Sequence, residues 1–263
     1  MLKIIRAFLI LLFIWWLQAP MAASAQRHMD SIMVNVTAWG KIHALLALPD
    51  EYAKTKKEYP LIIFLHGKSK SGNNLQKLLL EGIPYWINNG EKIQAVNPVD
   101  GKLYKFIVVA PQAPNWGLKP DEIRRMLDDV QKRYRIDRSR IYLTGYSAGG
   151  WASVMAITDN AALSARFAAA VPMSVASIDD KNLTQFKLVA DANIPCWYLA
   201  GTEELHFLEN CERYKDSTNT YKPNLAKVTI LDGFAHHSWK EQYDTAYRKY
   251  GMNIYEWMLQ YKK

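Results

Sequence analysis

One serine of the chain has neighbours that suit a catalytic nucleophile. Ser147 lies between two glycines in the pattern Gly145-x-Ser147-x-Gly149. The residues before it are β-branched and aromatic, as in a buried strand, and Ala148 to Ile157 is compatible with a helix. This arrangement is typical of a nucleophile elbow, in which a strained strand-to-helix turn exposes the hydroxyl at the helix N-terminus. The pattern predicts nucleophilic catalysis by Ser147; the alternative is a glycine-rich turn that carries an incidental serine.

A serine hydroxyl needs a base to accept its proton and an acid to orient that base. The order nucleophile, acid, base along the chain accompanies this kind of elbow, and Ser147, Glu204 and His236 satisfy it. We expect His236 to be the base because it lies in the loop after the last apolar strand, with His237 as a surface residue. Either Glu203 or Glu204 could reach the base. The chain must turn before it presents a carboxylate sideways, which favours Glu204; the alternative is that both are surface charges.

Negative charge on a reacting carbonyl oxygen requires two N–H donors. Ala148, which follows the nucleophile, and Lys68, which follows an apolar strand, are expected to supply them from the main chain. Trp116, Gln112 and Tyr146 are predicted to line a substrate pocket because they lie in or beside strand-end segments. The competing interpretation is that aromatic side chains such as Trp116 mainly fill the core and its rim.

Apolar runs that alternate with helical stretches must position these residues. Two strands around a turn at Trp39-Gly40 predict an N-terminal antiparallel hairpin. The later pattern predicts a mostly parallel sheet with helices on both faces, an α/β fold whose chemistry gathers at the carboxyl ends of the strands. The predicted strands are Ser31 to Ala38, Ile42 to Leu48, Leu61 to Leu65, Phe106 to Ala110, Ile141 to Thr144, Ala168 to Met173, Ile194 to Ala200 and Ala226 to Leu231. The predicted helices are Leu75 to Gly82, with Gly82 as its end, Asp121 to Tyr134, Ala148 to Ile157 and Ile254 to Tyr261.

The first 25 residues have the features of a signal peptide. Lys3 and Arg6 form a basic start, Ala7 to Leu17 is unbroken apolar sequence, and Ala23-Ser24-Ala25 is a small-x-small cleavage pattern. We therefore expect residues 1–25 to be removed, leaving one catalytic domain over residues 26–263 that is secreted or periplasmic. An uncleaved membrane anchor is the alternative, and no stable anchor is expected after removal of the signal.

The charge and the cysteines limit the classes of partner. The formal net charge is +8, but no Lys/Arg run is long enough for a nucleic-acid footprint, and Lys54-Thr-Lys56-Lys57 is typical of a solvated loop. No Cys/His cluster has metal-ligand spacing, so neither a metal nor another cofactor is predicted. Cys196 and Cys211 could form a disulfide in an exported protein, but the sequence does not decide their distance.

From about Tyr59 to Tyr261 the chain resembles secreted α/β-hydrolases of the dienelactone-hydrolase, polyhydroxybutyrate-depolymerase and feruloyl-esterase-like type. The resemblance implies Ser147 as nucleophile and His236, three residues before Trp239, as base. It places the acid three residues after a glycine, at Glu204, where that group usually has aspartate. The stretches that carry it are Leu61 to Gly67, Gly82-Ile83-Pro84, Val109 to Gln112, Ile136 to Gly150, Ile194 to Trp197, and the run from His236 to Trp239.

The resemblance and the candidate residues together predict an exported serine hydrolase that cleaves carboxylic esters through an acyl-enzyme. The expected substrate is a small-molecule or polymer-attached ester, because the short loops indicate an open cleft without a lid. The preference for esters over amides rests on the resemblance alone. An exported serine peptidase of the same fold, or a binding protein with an inert site, remains as the alternative.

Overall fold

The computed structural model describes residues 29–237 and 239–263. The expected signal peptide lies outside the described residues. The described part contains an eight-stranded sheet in the spatial order β1-β2-β6-β3-β7-β8-β9-β10. Its strands are β1 Asp30–Asn35, β2 Lys41–Ala47, β3 Tyr59–Leu65, β6 Ile107–Pro111, β7 Ile136–Tyr146, β8 Ala169–Met173, β9 Cys196–Gly201 and β10 Ala226–Leu231; β4 Gln94–Val96 and β5 Leu103–Lys105 form a separate antiparallel pair.

The pairing confirms the predicted sheet. The N-terminal hairpin is antiparallel, and β2 also runs antiparallel to β6. From β6 to β10 every neighbouring pair is parallel. The carboxyl ends of these parallel strands therefore meet at one edge of the sheet, where the loops after β7, β9 and β10 come together.

Helices cover both faces of the sheet. Along β3, Ile63 and Leu65 join the core on one face and Ile62 and Phe64 the core on the other, because successive side chains of a strand point to opposite sides. Both faces of β3 are consequently buried, as its unbroken apolar sequence predicts. The α-helices are α1 Gly82–Asn88, α2 Pro120–Arg133, α3 Ala148–Ile157, α4 Ala161–Ser164, α5 Asp180–Leu183, α6 Phe186–Asp191, α7 Leu205–Tyr221 and α8 Ile254–Leu259; short 3₁₀ helices are Tyr52–Lys54, Lys68–Lys70, Leu75–Leu80 and Glu241–Tyr243.

The prediction that a helix ends at Gly82 is wrong. The segment Leu75–Leu80 is a 3₁₀ helix, and Gly82 begins α1 with φ +64°. A Cβ at this position would lie 2.1 Å from Cζ of Phe64, so the glycine lets the backbone approach the tip of that ring closely. This contact joins residues distant in sequence, and the local pattern does not contain it.

The two cysteines are not bridged. Cys196 on β9 and Cys211 on α7 are both free and buried, and burial raises the pKa of each thiol to about 12. Both belong to the apolar core on the same face of the sheet. Each therefore packs as a small apolar side chain with a protonated thiol.

Candidate active site

The turn between β7 and α3 holds Ser147 in a strained conformation. Its φ is 56° and its ψ is −118°, which costs a non-glycine residue about 1–3 kcal/mol. The main-chain N–H of Ser147 donates to the carbonyl oxygen of Met173 at 3.0 Å, and this bond holds the turn against the end of β8. A Cβ at Gly149 would lie 1.9 Å from the carbonyl oxygen of Leu65, so only glycine permits this close approach of helix and strand.

His236 comes from the loop after β10 and contacts Ser147 directly. Its Nε2 lies 2.9 Å from Oγ of Ser147. The buried indole of Trp239 donates its N–H to the carbonyl oxygen of His236 at 3.0 Å, which fixes the backbone that carries the imidazole. His237, the next residue, is exposed but lines the same cleft.

Glu204, the residue before α7, lies on the other side of the imidazole. Its Oε2 is 2.7 Å from Nδ1 of His236, and its Oε1 accepts the main-chain N–H of Gly201 at 2.8 Å. Glu203 is exposed to solvent. The structure thus brings Glu204, and not Glu203, into contact with His236.

These contacts determine which imidazole nitrogen carries the proton. A carboxylate can only accept hydrogen bonds, so Nδ1 of His236 must carry a proton and donate it to Glu204. In the neutral ring Nε2 is then an acceptor for the hydroxyl of Ser147. In this arrangement a proton can pass from the hydroxyl of Ser147 to Nε2 of His236, and the carboxylate of Glu204 stabilises the resulting imidazolium.

Two main-chain N–H groups begin helices beside Ser147. Ala148 is the first residue of α3 and Lys68 the first residue of a 3₁₀ helix, and the first N–H groups of a helix have no partner within it. His66 ties the second segment down, because its Nε2 accepts the N–H of Ala113 at 2.9 Å and its Nδ1 donates to the carbonyl oxygen of Gly67 at 2.8 Å. Burial lowers the pKa of His66 and keeps the ring neutral, as this bonding requires.

Ser147 and His236 lie at an open cleft of about 640 Å³. Of the predicted pocket residues, Trp116 and Tyr146 line it. The phenol of Tyr146 donates to Oε2 of Glu81, and burial raises its pKa well above the usual value. Glu81 also pairs with Lys70 at 3.2 Å. The cleft is lined by Gly67, Lys68, Ser69, Glu81, Trp116, Tyr146, Ser147, Phe207, His236 and His237.

The prediction that Gln112 lines this cleft is corrected by its hydrogen bonds. Its side-chain amide donates to the carbonyl oxygens of Lys70 and Asn74, both at 2.8 Å, and the residue is only 2% exposed. Gln112 therefore holds the Lys70–Asn74 segment to the end of β6. A polar residue after a strand can be turned inward by loop backbone that needs a donor, which the strand-end position alone does not reveal.

Two residues at the site were not anticipated from the sequence. Ser174 follows β8 and donates its hydroxyl to the carboxylate of Glu204. Phe207 lies in the first turn of α7 and lines the cleft. Ser174 is the first polar residue after the apolar run Ala168 to Met173, so the strand-end criterion that selects Ser147 could also have selected it.

Across residues 29–237 and 239–263, no cluster of three or more His, Cys, Asp or Glu side chains could hold a metal ion. In the same residues, no helix has the length and apolar character needed to cross a membrane.

Comparison with known proteins gives matches at the level of structure. No protein-family model and no curated protein matches the sequence. A thermostable esterase is 21% identical with a TM-score of 0.67, over 90% of this chain and 64% of that one. The acylaminoacyl peptidase of Pyrococcus horikoshii is 13% identical with a TM-score of 0.54, and the match covers 80% of this chain and 38% of the peptidase. The feruloyl esterase module from Clostridium thermocellum, as a mutant complexed with sinapinate, is 14% identical with a TM-score of 0.55. This match covers 80% of this chain and 83% of the module.

The chain thus spans less than two thirds of the length of the first two of these proteins. At these identities the likeness concerns the fold, which is the α/β-hydrolase fold that the resemblance implies.

Proposed function

We propose that this protein is an exported serine hydrolase that cleaves carboxylic esters through an acyl-enzyme. The observation that carries the proposal is the pair of short contacts on the two sides of one imidazole, 2.9 Å to Ser147 and 2.7 Å to Glu204, at the floor of an open cleft. Each nitrogen of His236 then has the partner that general-base catalysis requires.

In the first half of the reaction, Oγ of Ser147 attacks the ester carbonyl carbon while Nε2 of His236 accepts the hydroxyl proton. The carbonyl oxygen becomes an oxyanion, which the N–H groups of Ala148 and Lys68 bind. The bond to the leaving oxygen then breaks, and His236 returns the proton to that oxygen. The products of this half are a free alcohol and an acyl group bonded to Ser147.

In the second half, water takes the place of the alcohol. His236 accepts a proton from the water as its oxygen attacks the acyl carbon, and the same N–H groups bind the new oxyanion. Collapse of this intermediate breaks the bond to Ser147, and His236 returns the proton to Oγ. The carboxylic acid leaves, and the hydroxyl of Ser147 is restored.

The lining of the cleft supports an ester of moderate size or one attached to a polymer. Trp116 is 36% exposed and Phe207 half-buried, so both offer apolar surface to an acyl or alcohol group. Two of the structural neighbours are esterases, one of them complexed with sinapinate. Others of the same fold are peptidases, so amide substrates belong in the test.

The test is turnover of p-nitrophenyl esters with acetyl, butyryl, feruloyl and longer acyl groups, beside peptide p-nitroanilides. We expect ester hydrolysis by the wild type, and loss of nearly all of it in Ser147→Ala with unchanged thermal unfolding. Full activity in Ser147→Ala would refute the proposal. Faster turnover of peptides would favour the peptidase. Absence of both turnover and fluorophosphonate labelling at Ser147 would favour an inert binding protein.

The proposal of export rests on the N-terminal sequence. The basic start, the apolar run and the Ala23-Ser24-Ala25 pattern favour cleavage before Gln26. N-terminal sequencing of the protein recovered from the periplasm or the culture medium should begin at Gln26. Recovery of the full-length chain in the membrane fraction would support the uncleaved anchor instead.

A further inference from the structure

Ser174 occupies an unusual backbone position at the carboxyl end of β8. Its φ is 44°, in the left-handed region that non-glycine residues rarely adopt, and the residue is fully buried. Its hydroxyl oxygen lies 2.6 Å from Oε1 and 2.7 Å from Oε2 of Glu204. One hydroxyl proton is thus shared between both oxygens of the carboxylate.

The carboxylate of Glu204 is buried and needs hydrogen-bond donors such as the hydroxyl of Ser174. Its side chain is 1% exposed, and a buried carboxylate requires hydrogen-bond donors on its oxygens. The N–H of Gly201 and Nδ1 of His236 each bind one oxygen. Glutamate has three rotatable side-chain bonds, and Ser174 is the donor that contacts both oxygens, so its loss would leave rotation about the last bond restrained by one hydrogen bond on each oxygen.

The same strand end also holds the nucleophile. The carbonyl oxygen of Met173 accepts the N–H of Ser147, and the N–H of Ser174 donates to the carbonyl oxygen of Leu199 on β9 at 2.8 Å. Two consecutive residues therefore connect the turn that carries Ser147 to the carboxylate that orients His236. The strained φ of Ser174 occurs where the chain leaves the sheet and its hydroxyl meets Glu204.

From this geometry we infer that Ser174 is a positioning residue, which acts through Glu204 to hold His236 in line with Ser147. This inference rests on the proposed function. It assigns the hydroxyl of Ser174 a part in turnover, beyond that of satisfying a buried charge. The hydroxyl contacts the carboxylate and no reacting atom, so its effect must pass through Glu204.

The decisive variant is Ser174→Gly, because glycine accepts the positive φ without strain and lacks only the side chain. We expect kcat for the best ester to fall about tenfold, the loss that corresponds to one hydrogen bond to a charged group, with KM within about twofold of the wild type. Ser174→Thr keeps a hydroxyl and should retain more of kcat than Ser174→Gly, although a β-branched residue suits this φ less well. The control is Ser177→Ala, which removes a neighbouring hydroxyl that contacts His206 and should leave kcat unchanged.

A double-mutant cycle with Glu204→Gln separates positioning from a merely structural role. If Ser174 acts through the carboxylate, Ser174→Gly should change the rate of Ser147 labelling by a fluorophosphonate less than about twofold in the Glu204→Gln background. A residue that only stabilises the fold would reduce the rate equally in both backgrounds and lower the melting temperature.

Wild-type kcat in Ser174→Gly, or equal losses in the two backgrounds, would overturn the inference and leave the proposed function intact. A wild type that neither hydrolyses esters nor reacts with the probe would refute the proposed function, and this inference with it.

Discussion

The ring of Phe207 stacks on the imidazole of His236, with ring centroids 3.9 Å apart and planes 18° from parallel. Phe207 lies in the first turn of α7, three residues after Glu204. One helix start therefore supplies both the hydrogen-bond acceptor at the edge of the imidazole and the apolar surface against its face. Together they restrict the orientation of the ring.

Loss of this stacking should reduce turnover without abolishing it. Aromatic pairs contribute about 0.5–1.5 kcal/mol beyond their buried area, so Phe207→Leu, which keeps apolar bulk, should lower kcat/KM about fivefold. Leu205→Ala, at an exposed position in the same turn, is the matched control and should have no effect. Equal kcat/KM in Phe207→Leu and wild type would show that the stacking does not orient the base.

The two neighbouring glutamates should differ sharply in their effect on activity. Glu204→Gln removes the negative charge beside His236 and offers an amide that can hold the ring in the wrong tautomer, so kcat should fall at least about a hundredfold. Glu203→Gln changes an exposed side chain and should leave kcat within about twofold. Steady-state kinetics on the same ester decides; a larger loss in Glu203→Gln would refute the assignment of the acid.

The donor role of Lys68 is testable because it belongs to the main chain. Lys68→Ala keeps the N–H and should retain most of kcat, whereas Lys68→Pro removes it and should cost about 10²–10³-fold. Proline is compatible with this position, since Lys68 begins a helix and Gly67 before it is extended at φ −73°, ψ 162°. Comparable kcat in the two variants, with both folded by circular dichroism, would contradict the predicted oxyanion contact.

Gly149→Ala should destabilise the protein strongly. Its Cβ would lie 1.9 Å from a main-chain oxygen that cannot move without displacing β3, so we expect a loss of at least about 3 kcal/mol in the free energy of unfolding. Gly101→Ala is the comparison: its φ is +68° but no atom lies within 4 Å of the added Cβ, so the cost should be about 1 kcal/mol. Urea unfolding of both variants measures the difference, and similar losses would argue against the close helix–strand contact.

His66 should make stability depend on pH. Burial lowers its pKa in the folded chain below the value of about 6.5 for the unfolded chain. As the pH falls below about 6.5, the unfolded chain binds a proton that the folded chain resists, so stability decreases towards the lower, folded pKa. His66→Gln should remove this part of the slope. Measuring the free energy of unfolding of the wild type and of His66→Gln at about pH 7.5 and 5.5 tests this prediction. An equal loss of stability between the two pH values in both proteins would contradict it.

Much of the fold follows from local sequence. Runs such as Leu61 to Leu65 are short and apolar at every position, which favours strands buried on both faces, and α2 shows its buried face at helical spacing. The turn at Ser147 is recognisable because strand, glycines and helix adjoin in sequence. The order of the elements then indicates which strand ends share an edge, and so brings Ser147, His236 and a glutamate into one hypothesis.

The tertiary structure decided what depends on contacts between distant segments. The ring of Phe64 leaves no room for a side chain at Gly82, and Gln112 turns inward because a separate loop needs its donor. The start of α7 determines that Glu204 points to His236 and Glu203 to solvent, and the end of β8 places Ser174 on the carboxylate. The spacing of apolar residues in the sequence predicts which side chains share one face of a helix or strand. The same spacing does not predict where a loop turns, because the path of a loop depends on the backbone of other segments that it contacts at the edge of the sheet.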